Sequence, residues 1–487
     1  MKIRLHIIAF LAGILPFVFL TKALLFTNPP VWPDEPVFTS IAKHVADTGK
    51  IGTVIYGIND FKTDQGSFPY PPVYFWVLGA WGKYFGFSIA SVRALSIGIA
   101  LLTLLILYGI LIELFKKPYV ATIGLILITT DIWFNRISRL GRMEILVSFF
   151  TAAAFYAFLI MRRQKRIRAG HILLTGVLAA AAFLTHPIGI LATMTISALT
   201  VMSRIRKSDK IKIISCLVIC LTALTGIWLV SLGTIFPYFL KELRYAALRK
   251  STLPPYILHL VTTSDVWKYI WLGHLTLFAI ALNQIYRRKK YSVLFFLVPV
   301  ILAYGLVYFG TEMWYIGYLQ PWMTFFSIAT LLSINKRTLL YQFTVLLIIV
   351  ITVINVIMFG TNAGVSDTIH AAGGNYAKFS QAVDKEVPQR ARVLVSVIPD
   401  PTYLLWEKRS TTGVLEFFMP PLNTASNYKK ILDTVDVVVA NKFLEPMLPS
   451  YVRQNTAGTP RTIYSGGYSA TVYILVPKNQ RVYTAGK

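Results

Sequence analysis

Val31-Trp32-Pro33-Asp34-Glu35-Pro36 follows closely on an apolar run that extends from about residue 5 to residue 26. Two adjacent carboxylates therefore stand where a membrane helix emerges into water. Charged groups at the rim of hydrocarbon are costly, so this position suggests function by default. The plainer alternative is that Asp34 and Glu35, after Pro33, only start the next helix.

The rest of the chain supports a membrane setting for this pair. Its 487 residues are 55% hydrophobic and only 14% charged, and mean hydropathy is +0.60. Those values lie outside the range of ordinary soluble domains and define an integral membrane protein. The net charge of +27 does not indicate nucleic acid, because much of it sits in short clusters between apolar runs, such as Lys116-Lys117, Arg287 to Lys290 and Lys336-Arg337. Such clusters mark cytoplasmic loops. The two cysteines, Cys216 and Cys220, are four apart in one apolar run and read as helix packing.

A bilayer is crossed by about 20 apolar residues. Spans are expected near 5–26, 90–114, 119–134, 144–161, 171–185, 188–203, 212–232, 267–286, 291–309, 315–333 and 338–359. With the N-terminus in the cytoplasm, the even connections are the basic ones and the odd connections carry acids and aromatics, so count and orientation support each other. The fold class expected is a polytopic α-helical membrane protein of about eleven transmembrane helices with a small extracytoplasmic α/β domain at the C-terminus. The membrane domain covers 1–360 and the tail 361–487. Within the tail, strands are expected at Arg392–Ile398, Asp436–Ala440, Arg461–Tyr464 and Ala470–Val476, with helices near Asn375–Val387 and Tyr428–Asp433. Ser465-Gly466-Gly467 reads as a hairpin turn. The long first outside loop, 27–89, holds two amphipathic or aromatic segments, Pro36–Thr48 and Pro71–Phe85, suited either to the headgroup layer or to packing on the protein.

Further polar clusters fall on the outside. Asp131, Arg136, Arg139, Arg142 and Glu144 crowd the second outside loop; guanidinium groups there suit phosphate, or they pair with the two acids. His186, in Thr185-His186-Pro187, is a phosphate partner or proton shuttle, or simply a cap. Glu312-Met313-Trp314-Tyr315 and Tyr318 open outward again, as an interfacial belt or a binding wall.

The order of these elements carries a resemblance. An acidic pair after the first span is followed by Tyr70-Pro71-Pro72-Val73-Tyr74-Phe75-Trp76, then Arg93. Arg142-Met143-Glu144 opens the fourth span, Leu184-Thr185-His186-Pro187 comes next, and Trp314-Tyr315 precedes Gln320-Pro321. Over about 1–340 the chain resembles the C-type (GT-C) membrane glycosyltransferases, in the branch of protein O-mannosyltransferases and aminoarabinose transferases. The resemblance implies a hexosyl or pentosyl transferase using a polyprenyl-phosphate sugar donor and a lipid, glycan or protein acceptor. It gives catalytic roles to Asp34, Glu35 and Glu144. Many relatives carry Lys where this chain has Tyr70 and His186, so donor phosphate binding falls to Arg93, Arg139, Arg142 or His186. Tyr70, Tyr74, Tyr315 and Tyr318 are the lipid- or sugar-binding candidates, with Trp322 beside the polyprenyl chain. No cofactor is demanded by the sequence, although a divalent metal between carboxylates is possible. The expected location is the plasma membrane. Transport or flipping of a lipid-linked substrate is the alternative; it calls for buried charges mid-span or broken helices, and Pro16, Pro299 and Pro321 are candidate break points. A receptor or scaffold is the third class, and it has no need of the acidic pair.

Overall fold

The computed structural model describes residues 2–24, 31–53, 55, 62–66, 70–164, 166–251, 265–288, 291–309, 313–361, 375–408, 414–416, 432–441 and 450–481. The helices in chain order are α1 (Lys2–Leu24), α2 (Asp34–Thr48), α3 (Val73–Phe85), α4 (Ile89–Phe115), α5 (Pro118–Thr129), α6 (Ile132–Ile137), α7 (Glu144–Arg163), α8 (Ala169–Thr185) and α9 (Ile190–Met202). They continue with α10 (Lys207–Ser231), α11 (Phe236–Ser251), α12 (Asp265–Arg288), α13 (Leu294–Phe309), α14 (Gln320–Ser333) and α15 (Leu339–Thr361). Among the described residues four are long and apolar enough to cross a membrane, within Ile89–Phe115, Glu144–Arg163, Lys207–Ser231 and Leu339–Ile357, and six shorter apolar helices accompany them. Outward-facing Leu102, Val218 and Leu346 are at least half exposed, as expected where lipid is the solvent.

Two expected spans are interrupted. The third stops at Thr129; Asp131 then accepts from the Phe134 N–H at 2.8 Å and begins α6, so the polar loop is held by a capped short helix. The tenth divides into a 3₁₀ segment, Met313–Tyr318, and α14, which starts with Pro321 in its first turn. Close approach of backbones fixes the bundle. A Cβ on Gly13 would meet Leu125 at 2.8 Å, and Thr129 Oγ1 donates across the same contact to the Gly13 carbonyl at 3.2 Å, locking α1 onto α5. Cys216 and Cys220 are free thiols with sulfurs 3.8 Å apart, facing Gly176 of α8.

The two segments of the first outside loop fold as α2 and α3 and pack on each other. Residues Glu35 to Ala42 of α2 are buried without interruption, and a Cβ on Gly79 of α3 would lie 2.8 Å from the Ala42 carbonyl. Only the outer side of α3 stays apolar and open, at Trp76, Tyr84 and Phe85.

The tail forms α16 (Tyr376–Glu386), α17 (Thr402–Lys408) and α18 (Ser450–Gln454) around a five-stranded sheet of order β2-β1-β3-β5-β4. The strands are β1 (Val393–Ser396), β2 (Val414–Glu416), β3 (Val437–Ala440), β4 (Arg461–Ser465) and β5 (Tyr468–Ile474). Strands β2, β1 and β3 are parallel, and β5 and β4 are antiparallel. Gly466 and Gly467, at φ 59° and 83°, make the two-residue turn between Ser465 and Tyr468. The expected helix at Tyr428–Asp433 lies mostly outside the described residues.

Alternation along the strands decides what each sheet face touches. Val393, Val395, Val437 and Val439 pack with Phe379 and Val383 of α16, whereas Leu394, Val438 and Tyr473 join the large core that includes the membrane helices. Both faces are covered, which is why these strands are uninterrupted apolar runs. The loop after β1 then reaches the acidic stretch itself: the Asp400 N–H donates to the Val31 carbonyl at 3.0 Å, and the Tyr403 hydroxyl lies 2.7 Å from Thr39 Oγ1 of α2. Thr39→Val is expected to leave the enclosed Tyr403 hydroxyl without its partner and to cost about 1–3 kcal/mol, while Thr39→Val with Tyr403→Phe restores most of that loss. Thermal unfolding of wild type and the two variants checks this; equal stability of the single and double variants would contradict the contact.

Candidate active site

Asp34 and Glu35 begin α2 as neighbours and diverge because successive residues on a helix point about 100° apart. Glu35 turns inward and is fully buried. Each of its oxygens accepts two hydrogen bonds: Oε1 from Arg93 NH2 at 2.8 Å and the Trp32 N–H at 3.1 Å, Oε2 from Arg93 Nε at 3.1 Å and the Gly141 N–H at 2.8 Å. The two-pronged guanidinium contact suits arginine geometry. This carboxylate ties α2 to α4 and to the second outside loop. Gly141 is required there, since a Cβ would run into Val92 and come within 3.2 Å of Glu35 Oε2.

Asp34 turns the other way and keeps a side-chain exposure of 21%, against 1% for Glu144. It pairs with Arg142 NH1. The same guanidinium donates from NH2 to Glu144 Oε1 at 2.8 Å and from Nε to both Glu144 oxygens at 3.2 Å. Arg142 is thus a buried cation bridging two carboxylates, with the Phe38 ring 5.5 Å away. Of the two readings open for the loop arginines, Arg142 follows carboxylate pairing. Asp131 instead caps α6, and burial raises its carboxyl to about 7. Arg139 donates to the Asn135 carbonyl at 3.0 Å; burial, then Arg93 and Arg136, lowers it to about 9.

The tyrosines surround this bridge. Tyr74 and Tyr318 are buried, and their hydroxyls have no partner among the described residues. Burial first, then Glu144, holds the Tyr74 phenol well above its ordinary pKa, so it stays protonated. His186 sits between Tyr70 and Tyr315, with ring centroids at 5.8 and 5.6 Å. Its Nδ1 accepts from the Ile188 N–H at 3.2 Å, so the neutral ring carries its proton on Nε2. The capping role expected as its plainer reading is present. Glu312 lies outside the described residues, and so does the side chain of Trp314.

Glu144 starts α7, and the residues three, four and seven positions on, Val147, Ser148 and Thr151, continue its face. With Tyr318 and Trp322 they line a narrow apolar cavity. Tyr315 stacks on Tyr318, centroids 6.3 Å apart, and does not line it. The cavity therefore begins about one turn of α7 from Glu144. Among the described residues no group of three His, Cys, Asp or Glu is placed to hold a metal. The carboxylates present do not fit a divalent ion, because Arg142 occupies the space between Asp34 and Glu144 and Glu35 is consumed by four donors.

Residues 69–228 match the family model described as dolichyl-phosphate-mannose-protein mannosyltransferase. Among curated proteins none matches the chain in sequence. The chain is similar over 97% of its length to 97% of ArnT from Cupriavidus metallidurans, solved bound to undecaprenyl phosphate, at TM-score 0.57 and 12% identity. It is similar over 96% of its length to 74% of the archaeal oligosaccharyltransferase AglB from Archaeoglobus fulgidus, solved with an inhibitory peptide and a dolichol-phosphate, at TM-score 0.55 and 11% identity. The chain therefore has the fold of ArnT and AglB, and about a third of it matches the mannosyltransferase family model.

Proposed function

We propose that the protein transfers a single hexosyl or pentosyl unit from a polyprenyl-phosphate donor to an extracytoplasmic hydroxyl or amine. The observation that carries this reading is a partly exposed carboxylate, Asp34, on a buried guanidinium whose other partner, Glu144, starts the helix that walls an apolar cavity. ArnT and AglB were solved with polyprenyl phosphates, which supports a donor of that class. The described residues also place charge at the site rather than mid-span, favouring an enzyme over a transporter.

Asp34 accepts the proton of the acceptor as its oxygen or nitrogen attacks the anomeric carbon. The bond from that carbon to the phosphate oxygen breaks, the electron pair leaves with the lipid phosphate, and attack from the opposite face inverts the sugar carbon. Arg142 pairs with Asp34 and offers positive charge close to the departing phosphate, with His186 Nε2 and the Tyr318 hydroxyl as further donors. Glu144 keeps Arg142 in place. Glu35 and Arg93 set the angle of α2 and do not touch substrate. No bound divalent cation is needed, since a guanidinium already stands between the carboxylates. We further propose eleven crossings with the N-terminus in the cytoplasm and the site and tail on the extracytoplasmic side of the plasma membrane.

Filling the cavity tests the lipid assignment. Ala152→Trp, on the cavity wall of α7, is expected to raise KM for a long-chain polyprenyl-phosphate sugar at least tenfold and to leave a short, water-soluble prenyl analogue nearly unaffected. Equal effects on both donors would overturn the assignment.

A further inference from the structure

A cavity of about 590 Å³ opens between the first outside loop and the end of α10. That volume is within the range of ligand sites. One wall is the chain just after α2 together with Gln65 and Trp76; the other is Trp228 and residues 231–235, where α10 turns into α11. Lys62 of the loop lies over the Tyr238 ring of α11 at 4.5 Å and joins the two walls. Gly49, Gly66 and Gly233 have φ of 74°, 121° and 50°. The chain therefore turns around this space at glycines, and no side chain enters it from those positions.

The lining restricts the chemistry of an occupant. Trp76 is 50% exposed, whereas Trp228 is 8% exposed and its Nε1–H has no partner among the described residues. An indole N–H can only donate, and a buried donor left unpaired costs about 1–3 kcal/mol. An acceptor from outside the chain would relieve that cost. Gln65 and Thr234 add an amide and a hydroxyl, and among the described residues Lys50 is the one charged group on the walls. A single ammonium is not the guanidinium cluster that holds phosphate with two-pronged contacts. A sugar ring fits what is present: its C–H face lies on an indole, and its hydroxyls both donate and accept.

The cavity adjoins the candidate active site without reaching its base. Trp228 packs in one cluster with Leu184, two residues before His186. Gly49, at the other end of α2, stands a helix length, roughly 20 Å, from Asp34. A group held here is therefore not the one that reacts, but it can belong to the same chain several units away, where remote binding energy orients the reacting end. We infer that the cavity binds a neutral saccharide chain, with Trp76 under a ring face, Trp228 Nε1–H donating to a sugar oxygen, and Gln65 and Thr234 holding hydroxyls. This chain is the acceptor glycan whose end extends to Asp34. The acceptor role rests on the transfer proposed above; the binding of saccharide does not.

Fluorescence polarisation on the full-length protein in detergent tests this with end-labelled hexasaccharides of glucose, mannose and galactose, their monosaccharides, and a labelled Gly-Ser decapeptide. At least one hexasaccharide is expected to bind roughly tenfold or more tighter than its monosaccharide and than the peptide. Trp76→Ala, at an exposed ring, should weaken that binding roughly tenfold. Trp228→Phe keeps a ring against Leu184 and Phe239 but removes the N–H, and should weaken it about fivefold. Undecaprenyl phosphate binding should stay as in wild type in both variants. With the same hexasaccharide as acceptor, Trp76→Ala should raise its KM and leave kcat within about twofold, as loss of uniform binding does. Equal binding of hexasaccharide and monosaccharide, tighter binding of the peptide, or unchanged affinity in Trp76→Ala would overturn the cavity assignment. Release of carrier by wild type with no transfer to the bound glycan would overturn its acceptor role. Absence of carrier release from every donor, with saccharide binding intact, would instead overturn the transferase reading.

Discussion

Asp34→Asn is expected to accumulate and insert as the wild type does and to lose sugar transfer by about 10²–10⁴-fold, the usual contribution of a positioned general base. The fold should survive because Arg142 keeps its contacts with Glu144, and an asparagine oxygen can still accept from NH1. The base is lost because an amide does not take up a proton at neutral pH. The measurement is the initial rate of lipid phosphate release at saturating donor, with donor binding followed separately. A rate within twofold of wild type removes Asp34 as the base. Glu144 is buried at 1% side-chain exposure and could not then take over without reorganisation of the bridge.

The second large effect falls on the neighbouring residue and is of another kind. Glu35→Gln leaves the Arg93 guanidinium, 1% exposed, without its counter-charge, and Arg93→Met leaves Glu35 in the same state. Breaking a buried pair from either side costs about 3–5 kcal/mol, mostly the penalty of the stranded charge. The double variant is expected to lose less than the sum of the two, since neither charge remains. Thermal or denaturant unfolding of the four proteins gives the coupling. Additive losses would mean that the pair does not hold α2 to α4. The two adjacent acids are thus separable by experiment, one through turnover and the other through stability.

This division was not legible in the sequence. Asp34-Glu35 could be located, and the order of motifs after it pointed to the GT-C fold, but which acid faces the interior depends on Arg93 and Gly141, 58 and 106 residues away. No local pattern encodes those partners. The arginines were recognised as a group for the same reason that they could not be ranked: composition places charge near a loop, and only packing decides that Arg142 bridges Asp34 and Glu144 while Arg93 takes Glu35. The apolar cavity was partly within reach. Val147, Ser148 and Thr151 follow Glu144 at helical spacing, and small or hydroxyl side chains on that face leave room for a ligand, yet the same spacing fits an ordinary helix contact. Trp322 and Tyr318 line it and Tyr315 does not.

The helices were the most readable level, because twenty-residue apolar runs bounded by basic clusters leave few alternatives. The breaks at Thr129 and at Tyr318 were not, as each joins two apolar pieces across a turn whose cap is local and whose neighbours are equally hydrophobic. In the tail, β1, β3 and the β4-β5 hairpin followed from valine runs and the Gly-Gly turn. Strand β2, three residues long at Val414–Glu416, takes its place only by pairing with β1. Docking of the Asp400 loop and Tyr403 against α2 had no sequence signal at all.

Release of polyprenyl phosphate from lipid-linked sugars by the purified protein, in chelator and with an added acceptor pool, is the most direct measurement. Turnover of at least one donor by wild type, with none by Asp34→Asn, is the result expected of Asp34 working as base beside Arg142 over a lipid-filled cavity. Failure of wild type to release carrier from any donor, or equal release by both proteins, would contradict it.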